Sequence, residues 1–136
     1  MGYRSDGTVR IAGTRDGILD EVAKLMLTGD EHIKHVLLND FSIVMHGDGL
    51  MLGLDYENWK MYPNYTDVIA MKAVWNHFKG MEDKFEGAWI RLGEEDDDTE
   101  IHYFGDEPYE LANVGRSIRT QFDISADDDI RKTSNV

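Results

Sequence analysis

An α+β domain, with an antiparallel sheet and helices on one face, is the architecture this sequence predicts, and three observations predict it. Short segments of alternating or dense apolar residues recur at 7–12, 41–46, 50–55, 88–92 and 99–104. Two longer segments, 14–29 and 65–79, carry apolar residues mostly at the three-and-four spacing of a helix. Several strands follow one another directly, as hairpins do, and do not alternate singly with helices as in a parallel sheet. The resulting order is β-α-α-β-β-α-β-β-β, with about five to six strands and two to three helices on one face.

The elements follow in chain order. Residues 7–12, GTVRIA, read as the first strand, with Val9 and Ile11 on one face and Thr8 and Arg10 on the other. Thr14 or Asp16 caps a helix whose apolar stripe is Ile18, Leu19, Val22, Leu25 and Met26. Gly29 is expected to stop it in the left-handed conformation. Asp30 starts a second, shorter helix through His35 and Leu38. Residues 41–46 and 50–55 form a hairpin about Gly47-Asp48-Gly49.

Pro63 breaks the chain, and Tyr65 or Thr66 opens a helix that runs to about Lys79 and ends at Gly80. Its apolar residues are Val68, Ile69, Met71, Val74, Trp75 and Phe78. Ala88, Ile90 and Leu92 then alternate with Trp89 and Arg91, which suggests a strand with contacts on both faces. Thr99 to Phe104 is its antiparallel partner, with Ile101 and Tyr103 on one face and the acidic run 94–98 as the connection. Ile118, Thr120 and Phe122 give a last strand. One domain is expected over 1–124, followed by a mobile polar tail over 125–136.

Composition narrows the function. The 136 residues suit one domain that hides about two-thirds of its unfolded surface. No cysteine is present, which excludes a disulfide framework, a thiolate zinc site and a cysteine nucleophile. The start, MGYRSDGTVR, lacks the apolar core of a signal peptide, and no stretch reaches the roughly 20 apolar residues of a membrane span. A cytoplasmic protein is therefore expected.

The net charge is −13, from 27 acidic and 14 basic residues. Such a surface repels nucleic acid and attracts basic proteins, or it simply keeps the chain soluble. The charge is uneven. Nine acidic residues and no Lys or Arg lie between Leu92 and Gly115, and Asp127, Asp128 and Asp129 form a second cluster.

Four segments carry a resemblance: MGYRSD at 1–6, KMYPNYTDV at 60–68, WIRLGEEDDDTE at 89–100 and GRSI at 115–118. Together they resemble a family of small proteins encoded by tailed bacteriophages and prophages. The resemblance covers most of the chain up to about residue 122. It implies a phage origin and expression inside a bacterial cell, and it carries no catalytic residues. Gly7 stands where that pattern has an apolar residue.

The most conspicuous candidate site is Glu94, Glu95, Asp96, Asp97 and Asp98, with Glu100 just beyond and Asp106 and Glu107 further on. Adjacent carboxylates repel, so they must be solvated, paired or bridged. The run reads as a solvated turn, as a docking surface for a basic partner, or as a divalent-cation site. It lacks the glycine and terminal glutamate of a calcium loop. His32 and His35 share a helix face, where Asp30 or Glu31 could join them on a metal, but the chain has no HExxH motif.

Trp59, Tyr62 and Tyr65 flank Lys60 and Pro63, either to stack on a ligand or to fill a corner of the core. Arg4, Arg10, Arg15, Arg116 and Arg119 could converge on an anion, or pair with the surplus carboxylates. No nucleophile elbow and no phosphate-binding glycine loop is present.

These observations favour a non-enzymatic, phage-encoded accessory protein that binds and modulates a basic host protein through an acidic, nucleic-acid-like surface at 94–110. No cofactor, metal or membrane is expected. The alternatives are a binder of, or enzyme on, a small phosphorylated ligand such as a nucleotide, through Trp59, Tyr62, Tyr65, Arg116 and Arg119, and a minor virion component. The edge 99–104 could pair between subunits, but its acidic neighbours oppose that.

Overall fold

A computed structural model describes residues 4–61, 65–95, 97–114 and 118–120. Its centre is strand β1, Ser5–Gly13. Helices α1, Arg15–Thr28, and α2, Glu31–Asn39, lead to the hairpin of β2, Ser42–His46, and β3, Gly49–Trp59. Helix α3, Thr66–Lys79, precedes the hairpin of β4, Glu86–Leu92, and β5, Thr99–Phe104. A single 3-10 turn at Pro108–Glu110 leads to two short strands, β6, Ala112–Val114, and β7, Ile118–Thr120, which pair with each other.

The main sheet has the order β2-β3-β1-β4-β5, and every neighbouring pair is antiparallel. The expected fold class is therefore the observed one. β1 lies in the middle because the helical crossovers bring β3 to one side of it and β4 to the other. β2 and β5 form the two edges, each reached by a hairpin.

Alternation along β1 divides the residues as the sequence implies. Val9 and Ile11 join Leu52, Leu54 and Trp89 under the helices, in the larger core. The helices contribute Ile18, Leu25, Val36, Met71, Val74 and Phe78 to the same cluster. Each such side chain contributes about 1.5–3 kcal/mol by leaving water. Leu111 and Ala112 cover part of the opposite face, against Ala12, Met51, Ala88 and Ile90. β6 escapes recognition in the sequence because three residues are too few to show a period.

Local chemistry sets the element boundaries. Gly17 N–H donates to the Thr14 hydroxyl, and Ile33 N–H to the Asp30 carboxylate, so both caps form as expected. Gly29 stops α1 for a different reason from the expected one. Its φ is −73°, not left-handed, but a Cβ there would lie 2.5 Å from the Leu25 carbonyl oxygen. Close approach between α1 and α2 requires the glycine.

The hairpin turn is tighter than expected, with Gly47-Asp48 alone between the strands, and β3 runs on to Trp59. A bulge interrupts the pairing of β1 with β3 between Ser5 and Gly7. Asn58 takes the left-handed conformation there, at φ 57°, and its N–H donates to Asp6 Oδ1. Gly7 also has a packing reason. A Cβ at that position would meet the Tyr56 ring at 2.1 Å, so an apolar side chain there would have to displace that ring.

Candidate functional site

Two features at the β4–β5 end could bind something. One is the acidic surface around the outer edge of β5, and the other is a cleft behind it. Arg91 holds the two together. The register places Arg91 opposite Glu100, and the returning loop places Asp98 beside both. Arg91 Nη2 donates to Asp98 Oδ1 at 2.6 Å, Nη1 donates to Ser5 Oγ at 2.8 Å, and Nε donates to Glu100.

Burial works against the charge on Arg91, but the hydrogen bonds and charges of Asp98 and Glu100 outweigh it and raise its pKa. Two of the expected docking residues therefore direct their charge to Arg91 and brace the hairpin, although Glu100 stays exposed and Asp98 partly so. Backbone bonds close the loop, from Gly93 N–H to the Asp98 carbonyl and from Asp98 N–H to the Glu95 carbonyl.

The other described carboxylates are not paired with Arg91. Glu94 accepts from Arg4 N–H at 2.6 Å. Glu95, Asp97, Asp106, Glu107 and Glu110 are exposed, and Asp96 lies outside the described residues. A hydrogen bond with Glu110, and repulsion from its charge, hold Glu107 above the ordinary carboxylate range, with Asp106 adding to the repulsion. The acidic residues thus bracket β5, at 94–98 before the strand and 106–110 after it. The six residues between span about 20 Å. Among the described residues, β5 pairs only with β4, and none of them pairs with its outer backbone groups.

The cleft lies between α3 and the helix-facing side of β4 and β5, with a volume of about 520 Å³. Lys72 and Lys79 project from α3, Arg91 and His102 from the sheet with Asp98 and Glu100 beside Arg91, and Trp75 and Trp89 form the floor. The indoles meet edge to face, with centroids 5.7 Å apart. Trp89 Nε1 donates to the Tyr56 hydroxyl at 3.2 Å, and burial pushes the Tyr56 phenol up to about 12. Of the cleft residues, Asp98 and Glu100 stand out in the sequence, as part of the acidic run, and the others do not. Finding them requires the β4–β5 register and the placement of α3, although Trp75 and Trp89 are already visible there as apolar positions.

The remaining candidates are scattered. Trp59 stacks at a tilt on Tyr56, with centroids 5.1 Å apart, and Tyr65 is the exposed residue that opens α3. Neither lines the cleft. Tyr62 and Arg116 lie outside the described residues, and Arg119 has only its backbone described, within β7.

Arg4 donates to the Asn58 carbonyl, while Arg10 lies on the other face of the sheet against Asp55, at 2.8 Å. These two arginines do not meet. His32 and His35 sit exposed on α2, and His35 pairs with Asn39. Among the described residues, no three His, Asp or Glu side chains are grouped to hold a metal ion. Nor is any helix among them long and apolar enough to cross a membrane.

The fold and this end of it define a small α+β domain with one acidic sheet edge and a cleft lined by both cations and carboxylates. No family model, no curated protein and no solved structure matches the chain.

Proposed function

We propose that this chain is a non-enzymatic binding module that docks a basic partner along β5. The observation that carries this reading is the bracketing of an open strand edge by acidic residues at both ends. An extended segment can add to such an edge through main-chain hydrogen bonds. The carboxylates then select a segment with basic residues at either end, about six residues apart. The phage resemblance makes a basic, nucleic-acid-binding protein of the bacterial host the partner of choice.

Asp98 and Glu100 brace Arg91 and should be left intact in a test. A peptide with lysine pairs flanking five alternating threonine and valine residues is a suitable probe. Asp97→Asn, Asp106→Asn and Glu107→Gln together should weaken its binding at least about tenfold and flatten the salt dependence. Unchanged affinity in that variant, measured by fluorescence anisotropy, would rule the reading out.

The cleft favours a second reading. Lys72 and Lys79 line it beside an Arg91 already paired with Asp98 and Glu100, and its volume suits a small phosphorylated ligand held by the two lysines. A nucleotide that binds the folded state would raise the melting temperature, and Lys72→Ala with Lys79→Ala would abolish the shift. The absence of any shift at saturating nucleotide would remove this reading.

A further inference from the structure

The opposite edge of the sheet differs in charge, although both edges expose apolar side chains, Ile101 and Tyr103 on β5 among them. β2, Ser42–His46, has the sequence SIVMH, with no Lys, Arg, Asp, Glu or Pro. It pairs with β3 on one side and with nothing on the other among the described residues. Natural edge strands are usually protected by charge, proline or a bulge, and β2 has none of these. Instead it exposes large apolar side chains, with Met45 at 81% and Ile43 at 41%. We propose that β2 is a self-association edge, at which a second copy of this chain pairs antiparallel across a two-fold axis through Val44.

The register follows from the hairpin. Gly47-Asp48 is a two-residue turn, so the flanking pair His46 and Gly49 bond to each other across it. Alternation then directs the backbone groups of Ser42, Val44 and His46 toward β3, and those of Ile43 and Met45 outward. A two-fold axis at Val44 sets Ile43 of one copy opposite Met45 of the other. Only this type of pair, with both residues facing outward, completes antiparallel hydrogen bonds. The exposed apolar side chains of both copies thus meet on one face, and the same patch serves both subunits, as a two-fold interface requires.

Charge selects this edge over β5. Pairing β5 with its own copy would set the acidic brackets of two chains against each other. Pairing at β2 places those brackets at the far ends of a continuous ten-strand sheet, since each copy contributes five. Repulsion between two chains of net charge −13 then makes association tighter as salt rises.

Sedimentation equilibrium of the full chain, at concentrations reaching about 1 mM, tests this. A monomer–dimer equilibrium that strengthens with salt is expected. Met45→Lys, at an exposed position that does not threaten folding, should weaken it at least about tenfold. Ile101→Lys on β5 should leave it unchanged. A wild-type chain that stays monomeric throughout, a Met45→Lys chain that dimerises normally, or assembly beyond the dimer would each overturn the proposal. So would equal loss in Ile101→Lys, which would mean that β2 pairs with β5 of the next copy.

Discussion

The two edges of one sheet are built for different company. β5 is bracketed by carboxylates, and its acidic neighbours oppose pairing with its own copy, while β2 is neutral, apolar and self-complementary. Both offer the same backbone hydrogen bonds. The side chains around each edge decide what can use them, and the proposed partners would make the two edges respond to salt with opposite sign. Screening weakens the attraction of a basic segment to β5 and relieves the repulsion between two copies at β2. Substitutions can break or sharpen this contrast.

The largest effect is expected from Arg91→Met. It leaves Asp98 and Glu100 facing each other without their shared cation, and it removes the partner of the Ser5 hydroxyl. Because the two carboxylates are partly solvated, the loss should be about 1–3 kcal/mol, read from urea denaturation. The damage should stay at the β5 end, so peptide binding should fall while dimerisation persists. Equal loss of both would mean that the two edges are coupled.

Gly7→Ala acts in the central strand and should cost about 1–3 kcal/mol, because its methyl group collides with the Tyr56 ring. Both salt responses should keep their sign. A variant as stable as wild type in thermal unfolding would show that Tyr56 can move aside.

Glu21→Gln probes the helix layer. The Glu21 carboxylate accepts from Lys24 at 3.0 Å and from His77 on α3 at 2.9 Å. The Lys24 hydrogen bond, aided by His77, lowers its pKa despite burial. A lowered pKa in the folded state means stability that is present above about 4.5, the unfolded value, and lost as pH falls through the folded value. The variant should therefore be about 1 kcal/mol less stable at pH 7 and indistinguishable from wild type in strong acid. A pH-independent difference would assign the effect to packing instead.

The smallest effect belongs to Asp40→Asn. Burial, with Asp67 adding repulsion, raises the Asp40 pKa, so ionising it costs stability once the pH exceeds the ordinary carboxylate range. Removing the charge should stabilise the fold by a few tenths of a kcal/mol at pH 7, with the gain fading in acid as wild-type Asp40 takes up its proton. A destabilised variant would contradict that account of Asp40.

Much of the frame is legible in the sequence because it depends on local chemistry. Thr14 and Asp30 are caps by residue type, the alternation in β1 and β4 assigns their faces, and Gly47-Asp48 marks a hairpin. Pairing across distant segments is not local. The bulge at Asn58 exists only because β1 meets β3, and Tyr56 explains Gly7 only once they are paired.

The acidic run is obvious as charge, yet its division into bracing and exposed carboxylates depends on Arg91 lying opposite Glu100. That register could have been anticipated from the length of the 93–98 loop. The cleft could not, because it also needs the position of α3.

Sedimentation of the wild-type chain with a dye-labelled flanking-lysine peptide, at low and at moderate salt, reads both edges in one experiment. Peptide leaving the complex as dimer accumulates is the expected result. Peptide binding and dimerisation that respond to salt in the same direction, or a peptide that never sediments with the protein, would contradict the assignment of opposite partners to the two edges.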